Sequence, residues 1–123
     1  MATVRTKFGS FAESCAEKFL VSKGYRIIDR NYRKPWGELD IIADKDGVLS
    51  FIEVKASKTY LSGFEPELRA NRTKMVKVVR TARSYLVAKK YSPDQEWRLD
   101  IISVVIDKDR GVAKIKHFKN IDI

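Results

Sequence analysis

Cysteine and histidine are nearly absent from this chain: Cys15 and His117 are the only ones in 123 residues. A lone cysteine excludes an internal disulfide, and one of each cannot build a Cys/His zinc cluster. Cys15 falls on the apolar stripe Phe11, Ala12, Cys15, Ala16, Phe19 and Leu20, where a thiol reads as a buried structural group rather than a nucleophile. His117 has no second histidine or serine nearby in sequence, and no role is assigned to it. Long apolar runs are missing too. The longest, residues 101–106 with Ser103 inside it, is far too short to span a bilayer, and no apolar run stands at the N-terminus. The expectation is a cytoplasmic protein without a membrane partner. No internal repeat or low-complexity linker interrupts the chain, so residues 1–123 read as one compact domain, long enough to bury a core without staples.

Acids are missing from one long stretch. Between residues 69 and 90 stand Arg69, Arg72, Lys74, Lys77, Arg80, Arg83, Lys89 and Lys90 without one Asp or Glu, and these account for eight of the nine net positive charges. On a helical wheel Met75, Val78, Val79, Ala82 and Leu86 form an apolar stripe, while Arg69, Arg72, Lys77, Arg80, Arg83 and Lys90 gather on the far side. A basic face without i,i+4 acid partners repels itself and adds nothing to stability. It therefore points to a polyanion, nucleic acid ahead of an anionic membrane surface, whereas a merely solvating face mixes both signs. Trp36, Tyr60 and Phe64 fall on turns or loops, where each either stacks on bases or caps the core.

What is present alternates between helix and strand. Ser10 with Glu13 reads as a capping box opening a helix over 10–23 that Gly24 stops. A strand over 25–33, a turn at Lys34-Pro35-Trp36-Gly37, and strands over 38–43 and 48–56 follow. A loop over 57–68 leads to a helix over 72–90, then to strands over 99–106 and 112–118 joined at Asp109-Arg110-Gly111. The almost continuous apolar run of the fourth strand marks burial on both faces, and strand, helix, strand between 48 and 106 predicts a parallel crossover. The expected architecture is a mixed sheet of order α-β-β-β-α-β-β flanked by two helices.

Asp46-Gly47 is a strong two-residue hairpin signal. If Lys45 faces Val48, Asp40 stands opposite Glu53 and Glu38 opposite Lys55, and all four share a face with Ile42, Leu49 and Phe51. Leu39, Ile41, Ile52 and Val54 then take the other face. Two opposed carboxylates in covered strands must raise a pKa or recruit a cation, and magnesium or manganese suits them. The plainer alternative is a Glu38–Lys55 ion pair with Asp40 and Glu53 solvated.

Asp40 followed, after twelve residues, by Glu53-Val54-Lys55 resembles the PD-(D/E)XK signature of the restriction-endonuclease-like nucleases. The blocks Arg30-Asn31-Tyr32-Arg33, Gly37-Glu38-Leu39-Asp40-Ile41-Ile42-Ala43 and Phe51-Ile52-Glu53-Val54-Lys55, with Lys74 and Arg98-Leu99-Asp100, resemble the YraN-like family of small bacterial proteins, itself similar to archaeal Holliday junction resolvases. The resemblance implies an α/β, restriction-endonuclease-like fold and metal-dependent, structure-selective cleavage of branched or forked DNA. It implies Asp40, Glu53 and the Val54 carbonyl as ligands of Mg2+ or Mn2+, Lys55 as the ammonium that activates water, and Glu13 as a further acid of the metal environment. A capping role explains Glu13 equally well. Arg69, Arg72, Lys74, Lys77, Arg80 and Arg83 would bind phosphates without reading sequence, and a two-fold junction would suit a homodimer. Asp100 opens the buried strand in either a supporting or a capping role. The chain departs from the family pattern twice: Ala12 replaces the usual glycine before Glu13, and Ala56-Ser57 replaces Thr-Arg after Lys55, which removes substrate contacts but no implied metal ligand. The alternative from another class is a catalytically silent nucleic-acid-binding module on the same fold.

Overall fold

The structure, a computed structural model, describes residues 4–57, 72–107 and 109–121. Its elements are α1 (Val4–Ser22), β1 (Arg26–Lys34), β2 (Gly37–Lys45), β3 (Val48–Ser57), α2 (Arg72–Ala88), β4 (Trp97–Asp107) and β5 (Val112–Phe118). The five strands form one sheet in sequence order, antiparallel except for the parallel β3–β4 pair. This is the mixed α/β order expected. The loop expected after β3, with Tyr60, Phe64 and Arg69, lies outside the described residues.

Local chemistry sets the boundaries. Gly24, at φ +92°, ends α1, with its N–H and that of Tyr25 donating to the Val21 and Leu20 carbonyls. The Ser10–Glu13 capping box does not form: helix continues back to Val4, so both residues sit inside α1 where no free N–H awaits a cap. Asp46 and Gly47 both adopt positive φ, +52° and +81°, as a two-residue hairpin turn of the I′ kind requires. In the turn after β4, Asp107 Oδ1 accepts the N–H groups of Asp109 and Arg110 before Gly111 at φ +64°.

One core lies on each face of the sheet. Ala12, Ala16 and Leu20 of α1 pack on Ile41, Ala43, Ile52, Ile102, Val104 and Ile106, with half-buried Cys15 and Phe19 against them. Met75, Val78, Ala82 and Tyr85 of α2 pack on Leu39, Ile42, Leu49, Phe51, Leu99 and Ile101. Full burial of each large side chain contributes about 1.5–3 kcal/mol. The wheel is right in outline, yet Thr81 and Tyr85 take fully buried places while Val79 and Leu86 are only partly covered, and Phe11 of α1 is exposed.

The paired strands β1 and β2 change face together. Arg30 stands opposite Ile41, and Tyr32 opposite Leu39. Ile41 packs on the α1 side, and Arg30 grips Glu17 of α1 at 2.6 Å, whereas Tyr32 and Leu39 pack on the α2 side. Residues two apart on a regular strand share a face, so both strands reverse between these pairs, at Asn31 and Asp40. Asn31 carries the reversal at φ +51°, in the left-handed region asparagine tolerates best after glycine. Leu39 therefore joins Ile42, not Ile41, contrary to strict alternation.

His117 has a structural place after all. Its Nε2 lies 2.7 Å from Oδ2 of Asp100, which is fully buried and also accepts the Asn120 N–H at 2.9 Å and faces Arg98 Nε at 3.4 Å. Arg98 continues the network to the Tyr25 hydroxyl and Ser50. Asp100 thus supports the join between β4 and the C-terminal segment. Removing one member of a buried charge network leaves the others uncompensated, so Asp100→Ala is expected to cost about 3–5 kcal/mol in urea unfolding; an unchanged midpoint would contradict this role.

Gly37 fixes the β1–β2 hairpin against α2. A Cβ there would stand 2.5 Å from Thr81 Oγ1, itself bonded to the Lys77 carbonyl, and 3.3 Å from that carbonyl oxygen. Gly37→Ala should lower stability by about 1–3 kcal/mol, read as a lower urea midpoint at constant m value. Wild-type stability in that variant would show that the hairpin sits free of the helix.

Candidate functional site

Strand register delivers the site. Lys45 faces Val48 as expected, and the pairing runs to Ile41 opposite Ile52. There the ladder stops. In place of a backbone carbonyl, Asp40 Oδ2 accepts the Val54 N–H at 2.8 Å. Asp40 and Glu53 therefore meet where β2 and β3 part, and both line an open cleft of about 450 Å³.

The cleft collects residues far apart in sequence. Glu13 and Ser10 of α1 form one wall, Asn31 and Arg33 come from β1, Val54 and Ala56 from β3, and Lys74 reaches in from α2. Glu13, Asp40, Glu53, Val54 and Lys74 are thus brought together. Arg30 and Glu17 clamp α1 to β1 one turn beyond Glu13, which holds that wall in place. Since α1 leaves no cap for Glu13 to supply, its position on the cleft is what remains of the two readings.

Negative charge is crowded here. Burial pushes Asp40 up to about 6 from 3.8, against the Val54 hydrogen bond that lowers it, with Glu13, Glu53 and Glu38 adding repulsion. Glu13 is raised too, by burial first and then by Glu38, with Arg33 opposing. Glu53 is buried; its Oε1 pairs with Lys74 Nζ and lies 3.9 Å from Lys55 Nζ, while Oε2 has no hydrogen-bond partner among the described residues. For Lys74, burial acts to lower the pKa, but its bond to Glu53 and the charges of Asp40 and Glu38 raise it overall.

One expected pairing is replaced. Glu38 does not meet Lys55: the β2–β3 ladder ends short of them, while the β1–β2 ladder runs on and sets Glu38 opposite Arg33, 3.3 Å from its Nε. Lys55 stays behind Glu53, about four-fifths buried, and is not among the described residues lining the cleft. Lys74, Arg33 and Asn31 are the cleft residues that sequence reasoning placed least well. Local signals existed only for Asn31, a left-handed former inside an apolar strand pattern.

Above the cleft lies the basic helix. Arg72, Lys74, Lys77, Arg80 and Arg83 are all exposed on α2, and Arg72, Lys77, Arg80 and Arg83 make no salt bridge among the described residues. Among the described residues no three His, Cys, Asp or Glu stand close enough to enclose a metal ion by themselves. No described helix is long and apolar enough to cross a membrane.

A raised acid is protonated more readily in the folded than in the unfolded chain, so ionising Asp40 opposes folding as pH rises from about 4 to about 6. In metal-free buffer Asp40→Asn should gain about 1–3 kcal/mol over wild type at pH 7.5, shrinking toward zero near pH 4. Equal pH profiles of unfolding for the two proteins would refute the buried, crowded charge.

Comparison with known proteins supplies the family. Residues 12–104 match the family described as Uncharacterised protein family UPF0102. A UPF0102 protein of Corynebacterium efficiens is 35% identical over 123 residues, covering 99% of this chain and 97% of that protein. One from Campylobacter fetus subsp. fetus is 35% identical over 108 residues, 88% of this chain and 92% of the relative, and one from Wolinella succinogenes is 44% identical over 85 residues, 69% and 75% respectively. The matched range spans the strands that carry Asp40, Glu53 and Val54 and takes in Glu13 and Lys74, and the chain belongs to the UPF0102, or YraN-like, family.

Proposed function

We propose that this chain is a metal-dependent, structure-selective DNA endonuclease of the restriction-endonuclease-like kind, with Holliday junction resolvases as its nearest functional analogy. One observation carries the reading. Two carboxylates, Glu53 buried and Asp40 half-buried, converge where β2 and β3 part, Glu53 with an oxygen lacking any described partner, beneath an acid-free cationic helix face.

The donor set fits Mg2+ or Mn2+. Such ions are commonly held by one or two carboxylates and keep positions for water and phosphate oxygen, so Asp40 and Glu53 suffice, with the Val54 carbonyl as a further donor and Glu13 within electrostatic reach. When bound, the ion would polarise the phosphoryl oxygen and lower the pKa of the attacking water. The side chains supply the rest. Asp40 keeps one oxygen on the Val54 N–H, which fixes its orientation and leaves the other without a hydrogen bond among the described residues. Lys55, packed behind Glu53 and outside the cleft lining, would act through that carboxylate and offset transition-state charge. Lys74, at the mouth, would exchange Glu53 for a substrate phosphate. Arg72, Lys77, Arg80 and Arg83 would neutralise the backbone, which positions a duplex or junction without reading its sequence.

The Lys74–Glu53 ion pair favours a second reading, a silent nucleic-acid-binding module in which that lysine stands where a cation would otherwise be needed. Incubating forked, flapped and four-way DNA with Mg2+ or Mn2+ separates the two. Wild-type protein should nick these substrates, and Asp40→Ala and Glu53→Ala should each lose at least about 100-fold in rate. Tight binding without cleavage would establish the silent module, and cleavage indifferent to both substitutions would rule out this site.

A further inference from the structure

The geometry points to a substrate-reading device beside the cleft: we propose that Trp36, at the tip of the β1–β2 hairpin, stacks on an unpaired base of a DNA strand whose backbone lies on the basic face of α2. This rests on the nucleic-acid part of the function proposed above and gives it a substrate class, DNA with unpaired nucleotides.

The chain's two tryptophans are used differently. Trp97 packs edge-on against Phe51 at 5.6 Å, as a core aromatic does. Trp36 occupies a two-residue turn with Pro35 and remains 38% exposed. Its ring is nevertheless held in place. The guanidinium of Arg80 lies over it, 5.6 Å from the ring centroid, and the adjoining Gly37 presses so closely on Thr81 and Lys77 that the turn cannot lift from α2 without losing that contact.

A flat ring with an always-charged guanidinium over one face matches the two halves of a nucleotide, a base to stack on the opposite face and a phosphate to neutralise. From this tip a second cleft of about 440 Å³, roomy enough for a nucleotide, runs to Asp40 and Glu53, with Lys34, Lys77 and Lys74 on its walls. Its one exposed acid, Glu38, is already paired with Arg33. A base stacked on Trp36 would therefore place its strand on the path to the two carboxylates. Bases in a closed duplex are stacked on each other and offer no free face, so the ring selects forks, flaps and single strands. No strand chemistry is needed for that selection.

Affinity measured in EDTA at fixed salt tests this apart from cleavage. Trp36→Ala should weaken binding of single-stranded and forked DNA by about 5- to 150-fold and leave a blunt-ended, fully paired duplex bound as by wild type, while Trp36→Phe keeps most of the preference. In a Trp97→Phe background, emission from Trp36 should be quenched by single-stranded DNA and not by the fully paired duplex. Equal losses on both DNAs, no loss on either, or unquenched emission would overturn the proposal. Wild-type protein that binds no DNA would overturn both this and the parent reading; Trp36-dependent binding without cleavage would uphold this proposal while removing the endonuclease.

Discussion

The hydrogen bond from the Val54 N–H to the Asp40 carboxylate, 2.8 Å long, replaces a rung of the β2–β3 ladder, and the site's arrangement follows from that substitution. A backbone rung would have continued the sheet and covered the acids. A carboxylate rung ends it, satisfies the buried N–H, and keeps a negative oxygen at the opening. Burial then holds Asp40 near pKa 6, so the protein carries a charge that its own fold disfavours. Such a cost is commonly met at functional positions.

The surroundings are arranged around that cost. The coupled reversal at Asn31 and Asp40 leaves Asp40 lining clefts reached from both α1 and α2. Glu17–Arg30 fastens one side, and Gly37 against Thr81 and Lys77 fastens the other. Acids gather within the sheet opening and cations on the helix above it. Separating the signs in this way favours a polyanion over the helix and a small cation between the carboxylates, each relieving repulsion the isolated chain retains.

Much of this was legible because short-range rules govern it. Asp46-Gly47 fixed the hairpin and the hairpin fixed the register as far as Ile41 opposite Ile52; the expected Asp40–Glu53 rung is absent, and the two acids line one cleft just past the end of the ladder. The acid-free stretch identified the basic face of α2 without any contact information. Alternation failed at Leu39 because Leu39, Ile41, Ile42 and Ala43 are apolar on both parities, so a change of face leaves no trace in hydrophobicity. Glu38 was misassigned because the register was extended past the point where the ladder breaks. Ser10-x-x-Glu13 looked like a helix start because the same spacing also occurs within helices. Lys74 with Glu53, and His117 with Asp100, join residues 21 and 17 positions apart through tertiary packing that no local pattern encodes.

The claim beneath all of this is that Asp40 and Glu53 together hold one divalent cation. Titrating Mn2+ into wild type, Asp40→Asn and Glu53→Gln at pH 7.5, with free Mn2+ followed by its electron paramagnetic resonance signal, addresses it without any substrate. The account predicts one saturable site in the wild type that both substitutions remove. A wild type without a saturable site, or two variants that bind Mn2+ as the wild type does, would contradict it.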